Sequence, residues 1–248
     1  MQLILVRHGQ STNNVRLAEA MAAGLGRNPT DEQIAADVSH YRGRVPDPPL
    51  SSLGMRQAEA LGRALLDERA PFTPTHLYAS PTTRAVQTVR PLADAARRPV
   101  LLHPDAYEVG GIHVFDPPTR TRQARPGATL MELLQHCPAV EAPPGLFHSS
   151  DEPWSGGLET QDEQAVPRAQ RLLARLREAH GPDDVVLVVT HQHFSQFVLA
   201  AVLGWDGPPW QRFRLDNTGH LSLRFGDGPA SVDWVNRVEH LNPEDISN

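Results

Sequence analysis

The sequence contains no lysine: all 23 of its basic residues are arginine. That absence removes whole mechanisms, among them a Walker-A phosphate loop, a pyridoxal Schiff base, a kinase-type strand lysine and a Ser-x-x-Lys acyl enzyme. Any phosphate must instead be gripped by arginine, histidine and backbone amides. A GC-rich coding bias accounts for the arginines more simply than selection at every site, and the exclusions hold either way. Cysteine is nearly absent as well. Cys137 stands alone, which excludes an internal disulfide and a thiolate metal cluster. The longest apolar runs are strand-sized, so neither a transmembrane helix nor a secretory h-region is expected, and the first residues read as part of the fold. The expected compartment is therefore the cytoplasm, with no membrane partner. Excess positive charge is lacking too: the net charge of -6 argues against a nucleic-acid partner.

What remains is an ordinary globular composition, 40% hydrophobic and 21% charged over 248 residues. It suits one α/β domain spanning residues 1–248, with insertions at about 15–49 and 110–160. The apolar run Leu3-Ile4-Leu5-Val6 breaks off at Arg7-His8-Gly9, as an interior parallel strand does when it delivers side chains to a ligand crevice. Beyond it, an Ala-rich helix is predicted over Arg16 to Gly24. A short helix capped by Thr30 is predicted to reach about Val38, before Pro46, Pro48 and Pro49 break the pattern. Ser51-Ser52-Leu53-Gly54 caps a long helix to about Arg69. His76 to Ser80 reads as a strand, with Ser80 as N-cap and Pro81 at the first position of the next helix. Free amides there, with Arg84 beside them, favour an anion, and Pro91 is expected to end or kink that helix.

Val100 to His103 is a further strand, leading into Tyr107-Glu108-Val109-Gly110-Gly111. Residues 113–153 show no periodicity apart from a helix near Thr129 to Gln135, and such long irregular segments usually shape a pocket. A helix over Asp162 to His180 puts Val166, Ala169, Leu172, Leu173 and Leu176 on one face and arginines on the other. Asp184 to Thr190 is the most strand-like run of all, with His191 directly after it. A buried helix from Phe194 to Leu203 and strands at Gly219 to Phe225 and Ser231 to Val238 complete the chain.

Three strand ends thus offer groups suited to a phosphoryl ligand: Arg7 with His8, Arg84 after Ser80, and His191. In a parallel sheet these ends lie along one edge and converge. Two arginines can hold a phosphate by charge-assisted, often bidentate bonds, and a neutral imidazole can attack phosphorus. Gln192, beside His191, is assigned to substrate binding. His191-Gln192-His193 could also form half of a metal site, but no Asp or Glu has matching spacing, so no metal and no cofactor are assigned.

Arg7-His8-Gly9 with Asn14, Leu50-Ser51-Ser52-Leu53-Gly54 with Gln57-Ala58, Ser80-Pro81-Thr82-Thr83-Arg84-Ala85 with Gln87-Thr88, then Glu108 and Thr190-His191 together resemble the histidine phosphatase superfamily. The ordered motifs run from residue 3 to about 220. The resemblance implies a three-layer α/β/α sandwich with a mostly parallel central sheet, the insertions forming a cap over the site. It implies transient phosphorylation of His8, phosphoryl binding by Arg7, Arg84 and His191, a further phosphate contact from Asn14, and Glu108 as general acid and base. Asp105 is the alternative carboxylate, because Val109-Gly110-Gly111-Ile112-His113 departs from the family's usual continuation after this glutamate. The implied function is metal-independent hydrolysis of a small-molecule phosphomonoester. Two alternatives stay open: phosphoglycerate mutase-type transfer, disfavoured by Asn13 where mutases usually carry an aromatic residue, and a catalytically weak phospholigand-binding module. A homodimer is compatible with each. For a second anionic group of the substrate, Arg27, Arg42, Arg44, Arg120, Arg122 and Arg125 are the candidates.

Overall fold

In a computed structural model, residues 1–20, 22, 45–116, 119, 121–205 and 213–248 are described. Strand β1 (Gln2–Arg7) is buried along its whole length and is followed by α1 (Thr12–Ala20). Helix α2 (Ser52–Leu66) begins at Ser51, whose hydroxyl accepts the Gly54 N–H at 3.1 Å. Strand β2 (His76–Ala79), helix α3 (Thr83–Ala96) and strand β3 (Val100–Leu102) come next. A hairpin of β4 (His113–Asp116) and β5 (Thr121–Ala124) precedes α4 (Leu130–His136) and the two-residue β6 (Val140–Glu141). The second half contains α5 (Ala165–Ala179), β7 (Val185–Thr190), α6 (Gln192–Leu203), β8 (His220–Arg224) and β9 (Ser231–Arg237).

The main sheet has seven strands in the order β6-β3-β2-β7-β1-β8-β9. The five from β6 to β1 run parallel, β8 pairs antiparallel with β1, and β9 pairs antiparallel with β8. Side chains alternate across the central strands as the pleat requires. Ile4, Val6, Leu187 and Val189 enter one core with Leu61, Leu65, Val86 and Val89 of α2 and α3. Leu3, Leu5, Val186 and Val188 enter the other with Leu172, Leu176, Phe194 and Phe197 of α5 and α6. Helices therefore cover both faces, and the α/β/α layering follows from two apolar surfaces on one strand pair. Among the described residues no helix is long and apolar enough to cross a membrane.

Several local expectations are corrected. Pro91 neither ends nor breaks α3, which runs on to Ala96. A β-carbon added at Gly62 of α2 would stand 3.1 Å from Pro91 Cβ, so close packing of the two helices offsets the hydrogen bond proline cannot make. The N-cap position of α3 is Thr82 rather than Ser80. Helix α6 starts at Gln192 rather than Phe194, which puts His191 at its N-cap. Residues 113–153 hold more regular structure than the absence of periodicity suggested. The strands β4, β5 and β6 are too short to show a period, and β6 pairs with β3 at the edge of the main sheet. The predicted helix from Thr30 to Val38 and the residues Arg27, Arg42, Arg44 and Arg120 lie outside the described residues.

Candidate active site

Parallel pairing sets three strand ends level. Arg7 is in register with Thr190, and Ala79 with Val189. The chain therefore leaves the sheet at His8, Ser80 and His191 side by side, at the carboxyl edge where parallel sheets bind ligands. The backbone seals the join: His8 N–H donates to Thr190 O at 3.0 Å, and Ser80 N–H to Val189 O at 2.9 Å. After His8 the chain passes against α2, and a β-carbon at Gly9 would lie 2.7 Å from Gly54 O while one at Gly54 would lie 2.1 Å from Gln10 O. Only glycine allows that approach on either side.

His8 is 5% exposed. Its Nδ1 lies 2.7 Å from the Gly9 carbonyl. A carbonyl can only accept, so Nδ1 carries the proton and Nε2 keeps its lone pair. Burial, then the charges of Arg84 and Arg7, push the His8 pKa well below 6.5, outweighing the opposing bond to Gly9. The ring is neutral at pH 7. His191 is buried beside it, the two ring centroids 5.1 Å apart, and the same causes hold its pKa well below 6.5, burial first and Arg84 next. Its tautomer follows from its neighbours. Arg84 Nη2, which can only donate, lies 3.1 Å from Nδ1, and Ser80 Oγ lies 2.9 Å from Nε2, so His191 accepts from Arg84 and donates to Ser80. The serine read as a helix cap is thus a partner of the site histidine.

Arg7 is 4% exposed and donates through Nη1 to Leu215 O at 2.7 Å and to Asn248 Oδ1 at 2.5 Å. Its Nε is buried without a hydrogen-bond partner among the described residues. Desolvation lowers its pKa to about 10, with Glu108 and Asp216 acting in the opposite sense, so it stays a cation near neutrality. The structure brings together Arg7, His8, Arg84 and His191. Glu108 joins them from the loop after β3. Its Oε1 accepts Val109 N–H at 2.8 Å and Phe194 N–H at 2.9 Å, and its Oε2 accepts His193 N–H at 3.3 Å. The carboxylate therefore sits on the first turn of α6, where the helix dipole favours a negative group.

Asp105, the alternative acid, faces elsewhere: Arg171 and Arg175 of α5 bind its two oxygens at 3.0 and 2.9 Å. Asn14 uses its side-chain oxygen on Ser11, accepting from N–H and Oγ, each at 2.9 Å. Gln192 is the first residue of α6 and half-buried. His191 and His193 are joined by no third metal-ligating side chain among the described residues. Arg122 bonds to Asp162 Oδ1 at 2.9 Å and Glu159 O at 3.1 Å, and Arg125 to Ala124 O at 3.0 Å.

Two features escape sequence reasoning. The free amides of α3 already have an anion, because Asp47 accepts Thr83 N–H at 3.1 Å and Thr83 Oγ1 at 2.8 Å and reaches Arg84 Nη1 at 3.5 Å. Its setting, a run of prolines, carries no signal. The other is Arg168, which is 1% exposed rather than on the solvent face of α5. It lies four and eight residues before Leu172 and Leu176, on the apolar stripe itself, and a charge there requires a buried partner. That partner is Glu159, held bidentately at 2.8 and 2.9 Å. The Nη1 group donates to Asp105 O and Tyr107 O at 2.9 and 2.7 Å, while Glu159 Oε2 takes Gly110 N–H at 3.0 Å. Glu108 is thus framed on both sides by one buried ion pair.

The chain matches the family model described as the histidine phosphatase superfamily (branch 1) over residues 3–238. No curated protein matches it. It is similar in structure to a phosphoserine phosphatase from Entamoeba histolytica solved with phosphoserine, at TM-score 0.57 and 19% identity, covering 97% of this chain and 99% of that one. The ecdysone phosphate phosphatase from Bombix mori, solved with tungstate, matches at TM-score 0.59 and 18% identity over 94% and 92% of the two chains. A mycobacterial glucosyl-3-phosphoglycerate phosphatase matches at 0.53 and 20% over 95% and 98%.

The burial of these charges has consequences for stability. Removing one partner of a buried ion pair leaves the other uncompensated, so Arg168→Ala should cost about 3–5 kcal/mol in urea unfolding. A loss below about 1 kcal/mol would place the pair in water. Acid acts through the histidines. His8 and His191 are held well below 6.5, and His103 at about 4 and His220 at about 3, each chiefly by desolvation. Above about pH 6.5 neither folded nor unfolded chain protonates them; below it, only the unfolded chain does. Stability should therefore fall as pH drops below 6.5, by about 1.4 kcal/mol per pH unit for each such group. An unfolding midpoint that stays flat from pH 7.5 to 5 would contradict this.

Proposed function

As the chain belongs to the histidine phosphatase superfamily (branch 1), we propose that it is a phosphatase that hydrolyses a small-molecule phosphomonoester through a phosphohistidine on His8, without a metal ion at phosphorus. The observation that carries this reading is the state of His8: a buried, neutral ring whose Nδ1 proton is taken by Gly9 O at 2.7 Å, between two arginines. The Nε2 lone pair is left as the nucleophile, and no separate base is needed to free it.

In the first step Nε2 bonds to phosphorus as the bond to the ester oxygen breaks, and Glu108 gives a proton to the leaving alkoxide. In the second, Glu108 takes a proton from water, the oxygen bonds to phosphorus, the N–P bond breaks, and phosphate leaves. Arg7 and Arg84 stabilise the charge on the equatorial oxygens. His191 acts through Arg84, whose guanidinium its Nδ1 holds at 3.1 Å. Asn14 and Gln192 are assigned to the substrate. Since the Asn14 side-chain oxygen is bound to Ser11, its amide nitrogen is the group that would face a ligand. The solved structures in complex with phosphoserine and tungstate support a site of this fold that receives tetrahedral oxyanions.

His8→Ala should abolish both phosphoenzyme labelling and nearly all turnover while leaving the fold intact. Labelled protein in that variant would reject the nucleophile. Glu108→Gln should lower kcat by roughly 10²–10⁴-fold on alkyl phosphates, whose leaving groups need the proton. An activated aryl phosphate should suffer far less, and equal small losses on both substrate types would return Glu108 to the scaffold.

A further inference from the structure

At the opposite edge of the sheet a second cluster forms from the residues that open β2 and β7. His76 is the first residue of β2, Asp184 directly precedes β7, and His180 follows the last residue of α5. One potential ligand atom from each lies within 4.8 Å of the others, and this is the one group of three such residues among those described. We propose that His76, His180 and Asp184 form a zinc-binding site, with both histidines ligating through Nδ1 and Asp184 through its carboxylate.

Two observations carry this assignment. The His180 side chain is 4% exposed, and its Nδ1 is buried without a hydrogen-bond partner while lying 3.6 Å from Asp184 Oδ2. Leaving a ring nitrogen desolvated and unpaired is costly, and a cation between the two atoms removes the cost. The other observation is the spacing. His76 Nδ1 lies 3.6 Å from Asp184 Oδ1, the same separation as on the His180 side. Ligands about 2.1 Å from a tetrahedral zinc stand about 3.4 Å apart, whereas neighbouring ligands of an octahedral ion at that distance stand about 3.0 Å apart. Each observed separation, taken from one imidazole nitrogen to its own oxygen of the Asp184 carboxylate, lies closer to the tetrahedral value than to the octahedral one, and two imidazoles with one carboxylate are a donor set zinc accepts.

The surroundings supply the outer contacts such a site uses. With Nδ1 on the metal, His180 Nε2 carries its proton and donates to the Tyr78 hydroxyl, 3.0 Å away, which fixes the ring. Asp184 Oδ2 is oriented by Gly181 N–H at 2.8 Å and keeps lone pairs for the ion. Thr75 Oγ1 lies 2.9 Å from His76 Nδ1 and would release it, since its proton has a second acceptor in Val185 O at 3.2 Å. His76 and Asp184 are about one-third exposed, so an ion can enter and a water can take the fourth position. The length of β7 from Val185 to Thr190 separates this cluster from the His8 edge by roughly 17 Å at about 3.3 Å per residue. The ion would thus join the starts of β2 and β7 without touching the phosphoryl group.

The test is metal binding rather than turnover. The full chain, treated with EDTA and desalted, is titrated with Zn²⁺ by calorimetry and with Co²⁺ by visible absorption. One equivalent of Zn²⁺ should bind, with a four-coordinate Co²⁺ spectrum, and thermal unfolding should move upward with zinc. His76→Gln and Asp184→Asn, both accessible and outside the two cores, should each remove the Co²⁺ spectrum, whereas His8→Ala should retain it. Tyr78→Phe should weaken Zn²⁺ about 10–100-fold. No saturable zinc in the wild type, binding that survives both ligand variants, or loss on His8→Ala would overturn the site. Unchanged affinity in Tyr78→Phe would overturn the assignment of Nδ1.

Discussion

The register between β1, β7 and β2 is the constraint on which the site depends. Because Arg7 pairs with Thr190 and Ala79 with Val189, residues from distant parts of the chain leave the sheet at the same height. A parallel strand shifted by one residue would turn its reactive side chain to the other face. The register is itself held by the two cores, since each central strand divides its apolar residues between α2 and α3 on one side and α5 and α6 on the other. A slip would place every one of those side chains in the wrong layer. Packing energy spread over the whole sheet thus becomes positional accuracy at three adjacent residues.

Where the sheet ends, polar contacts take over. Glu108 stands on a loop, and two independent supports hold it: the first turn of α6, which donates to its oxygens, and the Arg168–Glu159 pair, which ties down the residues on either side. Arg168 also lies between the rings of Tyr107 and Phe194, at 3.7 and 4.0 Å from their centroids. The loop's position is therefore coupled to α5 and α6 together.

The layered fold and the convergence of Arg7, His8, Arg84 and His191 are legible in the sequence because a short apolar run that ends in a charged or imidazole side chain fits a buried strand meeting a polar crevice and little else. The strands β4 to β6 are not legible, since two to four residues cannot display a period. Local rules make Ser80 a helix cap, and tertiary contact with His191 prevails over them. Arg168 looks like a solvent-facing arginine by residue type, whereas its place on the helical stripe of α5 points inward, and position decides. Asp47 and the cluster of His76, His180 and Asp184 depend on chain reversals that bring distant loops together, and nothing near any one of these residues announces the others.

The hydrogen bond from His8 Nδ1 to the Gly9 carbonyl has an evolutionary consequence. In many sites the tautomer of a histidine is set by a carboxylate, which a single substitution can alter or delete. Here the acceptor belongs to the main chain, present whatever residue is encoded, and the glycine that bears it is confined by Gly54. The basicity of this imidazole is consequently not open to adjustment through its orienting partner. Divergence in this protein's lineage can retune it through the burial of the ring and through the surrounding charges, Arg84 and Arg7, and because the proposed function gives those two arginines the phosphoryl group, a change in either charge alters reactivity and anion affinity together.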